Sequence, residues 1–184
     1  MSKELSKFLS LILRHEPAKF GVVLDGSGWT PIDPLITQVR VAGFPDFDRE
    51  TLDAVVENDS KKRFTISNDG LRIRAAQGHS VEVDLGLNPS KPPAALYHGT
   101  AIANVDSIRE NGLLPGKRQH VHLSSDYDTA INVGARYGKP VVLSVDAERM
   151  FADGINFIQA ENGVWLTDVV PAQYLIFDPR MLGS

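Results

Sequence analysis

Three prolines within five residues set the outline of this chain. The stretch Gly86-Leu87-Asn88-Pro89-Ser90-Lys91-Pro92-Pro93 has no hydrophobic period and too much proline to continue a helix or lie inside a sheet. It reads as a linker over 86–93, dividing the 184 residues into a first lobe, 1–85, and a second, 94–184. Each lobe is long enough to bury a modest core of its own.

The first lobe begins helical and then changes period. Leu5, Phe8, Leu9, Ile12 and Leu13 recur at the spacing of one helix face, with Ser2 as a candidate N-cap and Pro17 as the stop. Arg14 and His15 then fall in the last turn, where cations complement the helix dipole whatever else they do. Asp25-Gly26-Ser27-Gly28 is turn chemistry, after which Thr30 is expected to cap, and Pro31 to open, a second helix with Ile32, Leu35, Ile36 and Val39 inward. A third helix is expected from Asp48, carrying Leu52, Val55 and Val56. From Arg63 the period is two: Arg63 to Ser67, a turn at Asn68-Asp69-Gly70, then Leu71 to Arg74, the pattern of a hairpin. Its alternation sets Leu71 and Ile73 against Arg72 and Arg74, which would lie on a solvated face or in a basic wing with Lys61, Lys62 and Arg63. Three helices followed by a hairpin read as a winged helix. Gln77-Gly78-His79-Ser80 closes the lobe, its histidine either an exposed turn residue or part of a site.

The second lobe is strand-rich. Ala95 to Thr100 is a strand ending on Gly99, which permits close approach of a ligand, and a helix with Ile102, Val105 and Ile108 should end at Asn111-Gly112. In His120-Val121-His122-Leu123 the two histidines share one strand face and the apolar pair the other, with Arg118 at the mouth and Ser124 at the end. Asp126 is expected to cap a helix to about Tyr137 that contains Gly134 and Arg136. Further strands are expected at Val141–Val145, Ile155–Ile158, Val164–Thr167 and Tyr174–Phe177. Many strands, few helices and short connections make this an antiparallel α+β lobe. Neither a Gly-x-Gly-x-x-Gly after a strand nor a Walker sequence is present.

Composition narrows the function. Without cysteine there is no disulfide, no thiolate nucleophile and no cysteine-ligated zinc. No apolar run approaches the roughly 20 residues of a membrane span, so no membrane association is expected. The first residues lack an apolar signal region, which makes the cytoplasm the expected compartment. A formal net charge of −4 argues against coating long nucleic acid. Up to Asp84 there are 11 Lys and Arg against 13 Asp and Glu, and beyond it 8 against 10, so any positive site is local. Nothing calls for an obligate protein partner.

His120 and His122 suit a metal only with a third ligand, and no residue at an evident spacing supplies one, so no metal is expected. Serine hydrolysis would need a Gly-x-Ser-x-Gly elbow, which is missing. Anion recognition remains.

Six blocks taken together, in order and at compatible spacing, resemble the RNA 2'-phosphotransferase family: Leu13-Arg14-His15-Glu16-Pro17, Lys62-Arg63-Phe64, Gln77-Gly78-His79-Ser80, Tyr97-His98-Gly99-Thr100, His120-Val121-His122-Leu123-Ser124 and Glu161 to Thr167. The resemblance implies a winged-helix-like first lobe joined to a second lobe of ADP-ribosyltransferase fold, with a substrate phosphate held between them. It implies NAD, consumed as co-substrate, and a 2'-phosphorylated RNA such as a tRNA splice junction. The implied reaction has two steps. The 2'-phosphate displaces nicotinamide, and the neighbouring ribose 2''-hydroxyl then attacks phosphorus, releasing RNA with a 2'-hydroxyl and ADP-ribose 1'',2''-cyclic phosphate.

By the same resemblance Arg14, His15, Arg63 and Arg118 handle phosphate, His15 being the one able to titrate near neutrality. His98, Gly99 and Thr100 with Ser124 are expected to hold the NAD ribose and nicotinamide. His122 is preferred to His120 at the cofactor, and Gly134 and Arg136 are expected at the adenosine or pyrophosphate. Val164 stands where many proteins of the transferase fold carry a glutamate. A phosphate monoester arrives already anionic, so the first step demands placement rather than a base. One rival reading shares these features, an ADP-ribosyltransferase that stops after the first step, capping phosphorylated nucleic-acid ends; another, a non-enzymatic winged-helix regulator that binds nucleic acid and ignores NAD, is opposed by the overall acidity.

Overall fold

A computed structural model describes residues 3–177, and the expected N-cap at Ser2 lies outside them. The chain divides into two compact units between Gly86 and Leu87. The architecture is mixed α+β, with helices and three small antiparallel sheets.

In the first unit α1 (Lys3–Arg14) buries Leu5, Leu9, Ile12 and Leu13, the stripe that the spacing predicts. Pro17 ends it, and a short 3-10 turn, Ala18–Phe20, closes on Gly21. Thr30 and Pro31 do not start a helix. They form β1 (Thr30–Pro31), and α2 (Ile32–Val41) begins one residue later with Pro31 as an extended, uncapped N-cap. The reason is tertiary: Thr30 pairs with Ile73, and the Ile32 amide bonds to the Leu71 carbonyl. Asp48 caps α3 (Arg49–Glu57), accepting from the amide and hydroxyl of Thr51, and these bonds hold its carboxyl below the usual range.

The hairpin forms as β2 (Phe64–Ile66) and β3 (Arg72–Ala75), and the sheet order is β1-β3-β2. Its faces differ from the expectation. Arg74 is 7% exposed, whereas Leu71 is 65% exposed. Alternation cannot say what covers the outer face, and here Trp29 does: the Arg74 guanidinium lies 4.5 Å from its ring centroid and that of Arg72 5.4 Å. Arg74 also donates to the carbonyls of Ser27 and Leu85. Only Arg72 is the solvated arginine expected, 3.7 Å from Asp25.

The second unit starts within the proline-rich stretch. The Ser90 amide donates to the Phe157 carbonyl, and Pro92 is buried. In chain order come β4 (Ala95–Ala101), α4 (Val105–Asn111), β5 (Val121–Leu123), α5 (Tyr127–Gly134), β6 (Pro140–Asp146), α6 (Ala147–Ala152), β7 (Ile158–Gln159), β8 (Trp165–Thr167) and β9 (Leu175–Ile176). Ile102 sits in a 3-10 turn before α4 and is 41% exposed. The fifth helix ends three residues before Tyr137, and α6, capped by Asp146, has no counterpart in the sequence reading. The last strands are shorter than expected: Phe157 is a core side chain ahead of β7, and Tyr174 closes a 3-10 turn ahead of β9.

Two sheets result, β4-β6-β9 and β5-β8-β7, each wholly antiparallel. Tyr97 and Ser124 join β4 to the end of β5 by exchanging both backbone hydrogen bonds at 2.8 Å. Leu96, Leu143, Val145, Met150, Phe157 and Trp165 lie in the core.

Gly99 and Gly134 explain how α5 lies on β4. A Cβ at Gly99 would fall 1.6 Å from the Ala130 carbonyl oxygen, and one at Gly134 would fall 2.7 Å from that of Thr100. Backbone therefore fills the space expected for a ligand at Gly99.

Candidate active site

In the first unit Arg14 and His15 lie at the end of α1. Arg14 is its last helical residue and His15 the next, exposed. The Gln77–Ser80 segment closes on them: the Arg14 carbonyl accepts from the Ser80 amide at 2.9 Å, and Ser80 Oγ lies 2.9 Å from His15 Nδ1. Gly78, at φ +90, lies against the Arg14 guanidinium, with its notional Cβ 3.5 Å from Nη1.

His79 is not an exposed turn residue. It is 2% exposed, and Nε2 has no hydrogen-bond partner among the described residues. Burial first, then the charges of Arg14, His15 and Arg74, lower its pKa from 6.5 to about 4, so it is neutral at physiological pH.

Arg63 is held separately. Nη1 donates to Ser6 Oγ at 2.8 Å and lies 3.2 Å from Asp59 Oδ1. Asp59 is buried, and its carboxylate also accepts the Lys61 and Arg63 amides. This loop places Lys62 at φ +47. Ser6 precedes Arg14 by eight residues, about 12 Å of helix rise, so Arg63 is anchored along the same helix rather than on Arg14 itself. The sequence alone points to no role for Asp59 or Ser80. Asp59, four residues before Arg63, carried a readable hint, but Ser80 meets His15 across 65 residues and only folding reveals it.

In the second unit Arg118, His122 and His98 form one bonded line. Arg118 Nη1 donates to His122 Nδ1 at 2.8 Å, and the His122 carbonyl accepts from His98 Nδ1 at 3.1 Å. An Nδ1 that accepts from a guanidinium carries no proton, so His122 has its proton on Nε2. For His98 the tautomer is the reverse: Nδ1 donates and Nε2 is the acceptor. Burial lowers the His98 pKa and the bond to the His122 carbonyl partly offsets this. His120 does not share the strand face expected of it: β5 begins at Val121, and His120 lies in the bend before it, Nε2 3.9 Å from Asp168.

The remaining expected residues are placed as follows. Thr100 is buried and its Oγ1 accepts from Asn104. Ser124 Oγ donates to the Asp126 carbonyl and accepts from the Asp126 amide, forming a turn into α5. Asp126 caps that helix through the hydroxyl and amide of Thr129, which hold its carboxyl below the usual range. Gly134 lies against the Gly99–Thr100 backbone, while Arg136 is exposed beyond the helix end. Val164 is half-buried beside the Ala160–Val164 turn, its carbonyl accepting from the Ala160 amide. Among the described residues no group of three or more His, Cys, Asp or Glu could hold a metal, and no helix is long and apolar enough to cross a membrane.

Comparison with known proteins matches the chain to one family. The model described as "RNA 2'-phosphotransferase, Tpt1 / KptA family" matches residues 1–169. A protein of Agrobacterium fabrum named "Probable RNA 2'-phosphotransferase" is 57% identical over 175 residues, covering 95% of this chain and 94% of its own. Proteins of the same name from Pseudomonas aeruginosa and Acaryochloris marina are 55% and 52% identical, over 94% and 95% of this chain and 94% and 96% of theirs. The likeness runs through both units, so the chain belongs to the RNA 2'-phosphotransferase, Tpt1 / KptA family.

Proposed function

We propose that this enzyme removes an internal RNA 2'-phosphate by transferring it to the ADP-ribose of NAD. Family membership supports the reaction class. The observation that carries the finer reading is the line from Arg118 through His122 to His98: a permanent cation is fixed beside two oriented imidazoles. Such a pairing suits an anionic nucleophile that must meet a ribose.

In the first step a 2'-phosphate oxygen bonds to the anomeric carbon of the nicotinamide ribose. The carbon–nitrogen bond breaks, and its electron pair neutralises the departing nicotinamide. Arg118, Arg14 and Arg63 bind the phosphate, each charge-assisted bond being worth roughly 1.5 to 3 kcal/mol. His98 offers an acceptor nitrogen to a ribose hydroxyl, beside Thr100 and Ser124, while Gly99 and Gly134 shape the wall behind them. His122 aims Arg118, and Arg136 reaches the adenosine or pyrophosphate.

In the second step the ribose 2''-oxygen bonds to phosphorus and the bond from phosphorus to the RNA 2'-oxygen breaks. The departing oxygen takes a proton from His15, and the attacking hydroxyl gives its own to solvent. The arginines balance the charge that grows at phosphorus. The products are RNA with a 2'-hydroxyl, nicotinamide and ADP-ribose 1'',2''-cyclic phosphate.

On this reading residues 1–85 form a winged-helix-like lobe and residues 94–184 an ADP-ribosyltransferase-like lobe. Three helices followed by the β2–β3 hairpin support the first assignment, and the paired antiparallel sheets support the second. The test is incubation of a short RNA bearing one internal 2'-phosphate with NAD, followed by mass analysis. Loss of the phosphate with release of the cyclic product is expected. Unchanged RNA overturns the proposal, and RNA that stays heavier by ADP-ribose supports end-capping instead.

A further inference from the structure

We infer that Ser80 is a positioning residue for His15, holding the neutral ring with its proton on Nδ1 so that Nε2 is the nitrogen that handles a proton at the substrate. Ser80 is fixed from behind, because its amide donates to the Arg14 carbonyl at 2.9 Å and that of Val81 does so at 3.4 Å. Its hydroxyl lies 3.5 Å from the same carbonyl oxygen and 2.9 Å from His15 Nδ1.

A hydroxyl has one proton to give, and a carbonyl can only accept. With that proton directed to the Arg14 carbonyl, Ser80 Oγ accepts from Nδ1–H. This is the arrangement that survives when the ring takes up its second proton. A serine donating to Nδ1 would have to rotate away each time His15 became charged. Ser80 thus does for His15, with a neutral oxygen, what an orienting acceptor does for any imidazole acid: one nitrogen is fixed and the other aimed.

The inference rests on the proposed second step for its role, but not for its first test. Ring-nitrogen NMR on the full chain at a pH where His15 is neutral reads the tautomer directly, with His15→Ala identifying the signals. Wild type should show Nδ1–H, and Ser80→Ala should move the ring to Nε2–H, the form imidazole prefers in water. In single-turnover assays Ser80→Ala should slow decay of the ADP-ribosylated RNA about tenfold, part of the roughly hundred- to ten-thousandfold that a positioned acid contributes. Formation of that intermediate should stay near the wild-type rate, and Ser80→Thr should restore both tautomer and decay. Nε2–H in the wild type, or a tautomer indifferent to Ser80→Ala, overturns the inference. If wild type yields no intermediate and no product, the proposed function fails, and the tautomer still decides the Ser80–His15 relationship.

Discussion

Arg118 and His122, four residues apart, are joined by a 2.8 Å hydrogen bond from guanidinium Nη1 to imidazole Nδ1. The acceptor determines where the cation points. Replacing His122 by alanine should lower single-turnover transfer roughly tenfold, the scale of one bond to a charged group. Asparagine, whose Oδ1 can stand near the position of Nδ1, should retain more activity than glutamine. Equal loss in all three variants would mean that His122 serves through some other atom.

Asp59 has the corresponding place behind Arg63. Its buried carboxylate accepts two backbone amides and faces the guanidinium. Asp59→Ala should cost about 2 kcal/mol in chemical denaturation, because buried donors lose their acceptor. It should also weaken RNA binding as Arg63 loses its orientation. An unchanged denaturation midpoint would remove Asp59 from this role.

His79 gives the protein an acid limit. The unfolded chain takes up this proton near pH 6.5, the folded chain only near pH 4. Protons therefore favour the unfolded state below pH 6.5, and the loss grows to about 2 kcal/mol at pH 5 before levelling off below pH 4. His79→Gln should lose correspondingly less stability between pH 7 and pH 5, measured as the difference in urea midpoints. Parallel pH profiles for the two proteins would contradict this.

Gly99→Ala puts a methyl group onto a backbone oxygen of α5, and no rotamer relieves that contact. A loss of at least about 3 kcal/mol is expected, at or beyond the upper end of overpacking penalties. Gly134→Ala, whose contact is longer, should cost less. Thermal melting of both variants checks the order.

Much of this fold was readable from the sequence, because local period carries it. The buried stripe of α1, the Asp48 and Asp126 caps and the β2–β3 turn all rest on neighbours within a few residues. What was not readable is long-range. Thr30 looks like a cap until Ile73 claims its backbone, and Arg74 looks exposed until Trp29 covers it. The candidate site divides in the same way. Its motif blocks stand out along the chain, but Gly99 reads as an opening for ligand when the space belongs to α5. His120 and His122 are equivalent by alternation and separate only when Asp168 lies near one and Arg118 near the other.

The exchange between Tyr97 and Ser124 makes a crease in this wall of the site. Each sheet is stiffened by its own ladder, yet β4 meets the end of β5 through one exchanged backbone pair and the bond from His98 Nδ1 to the His122 carbonyl. A fold line of that kind bends without breaking either ladder, and the two histidines move with the panels that carry them. Opening the angle would break the His98–His122 bond while leaving each sheet in register. The amides of Tyr97 and Ser124 should exchange with solvent together, as one event, and a Ser124→Pro variant, which removes one of the two bonds, should loosen the crease without unfolding either panel.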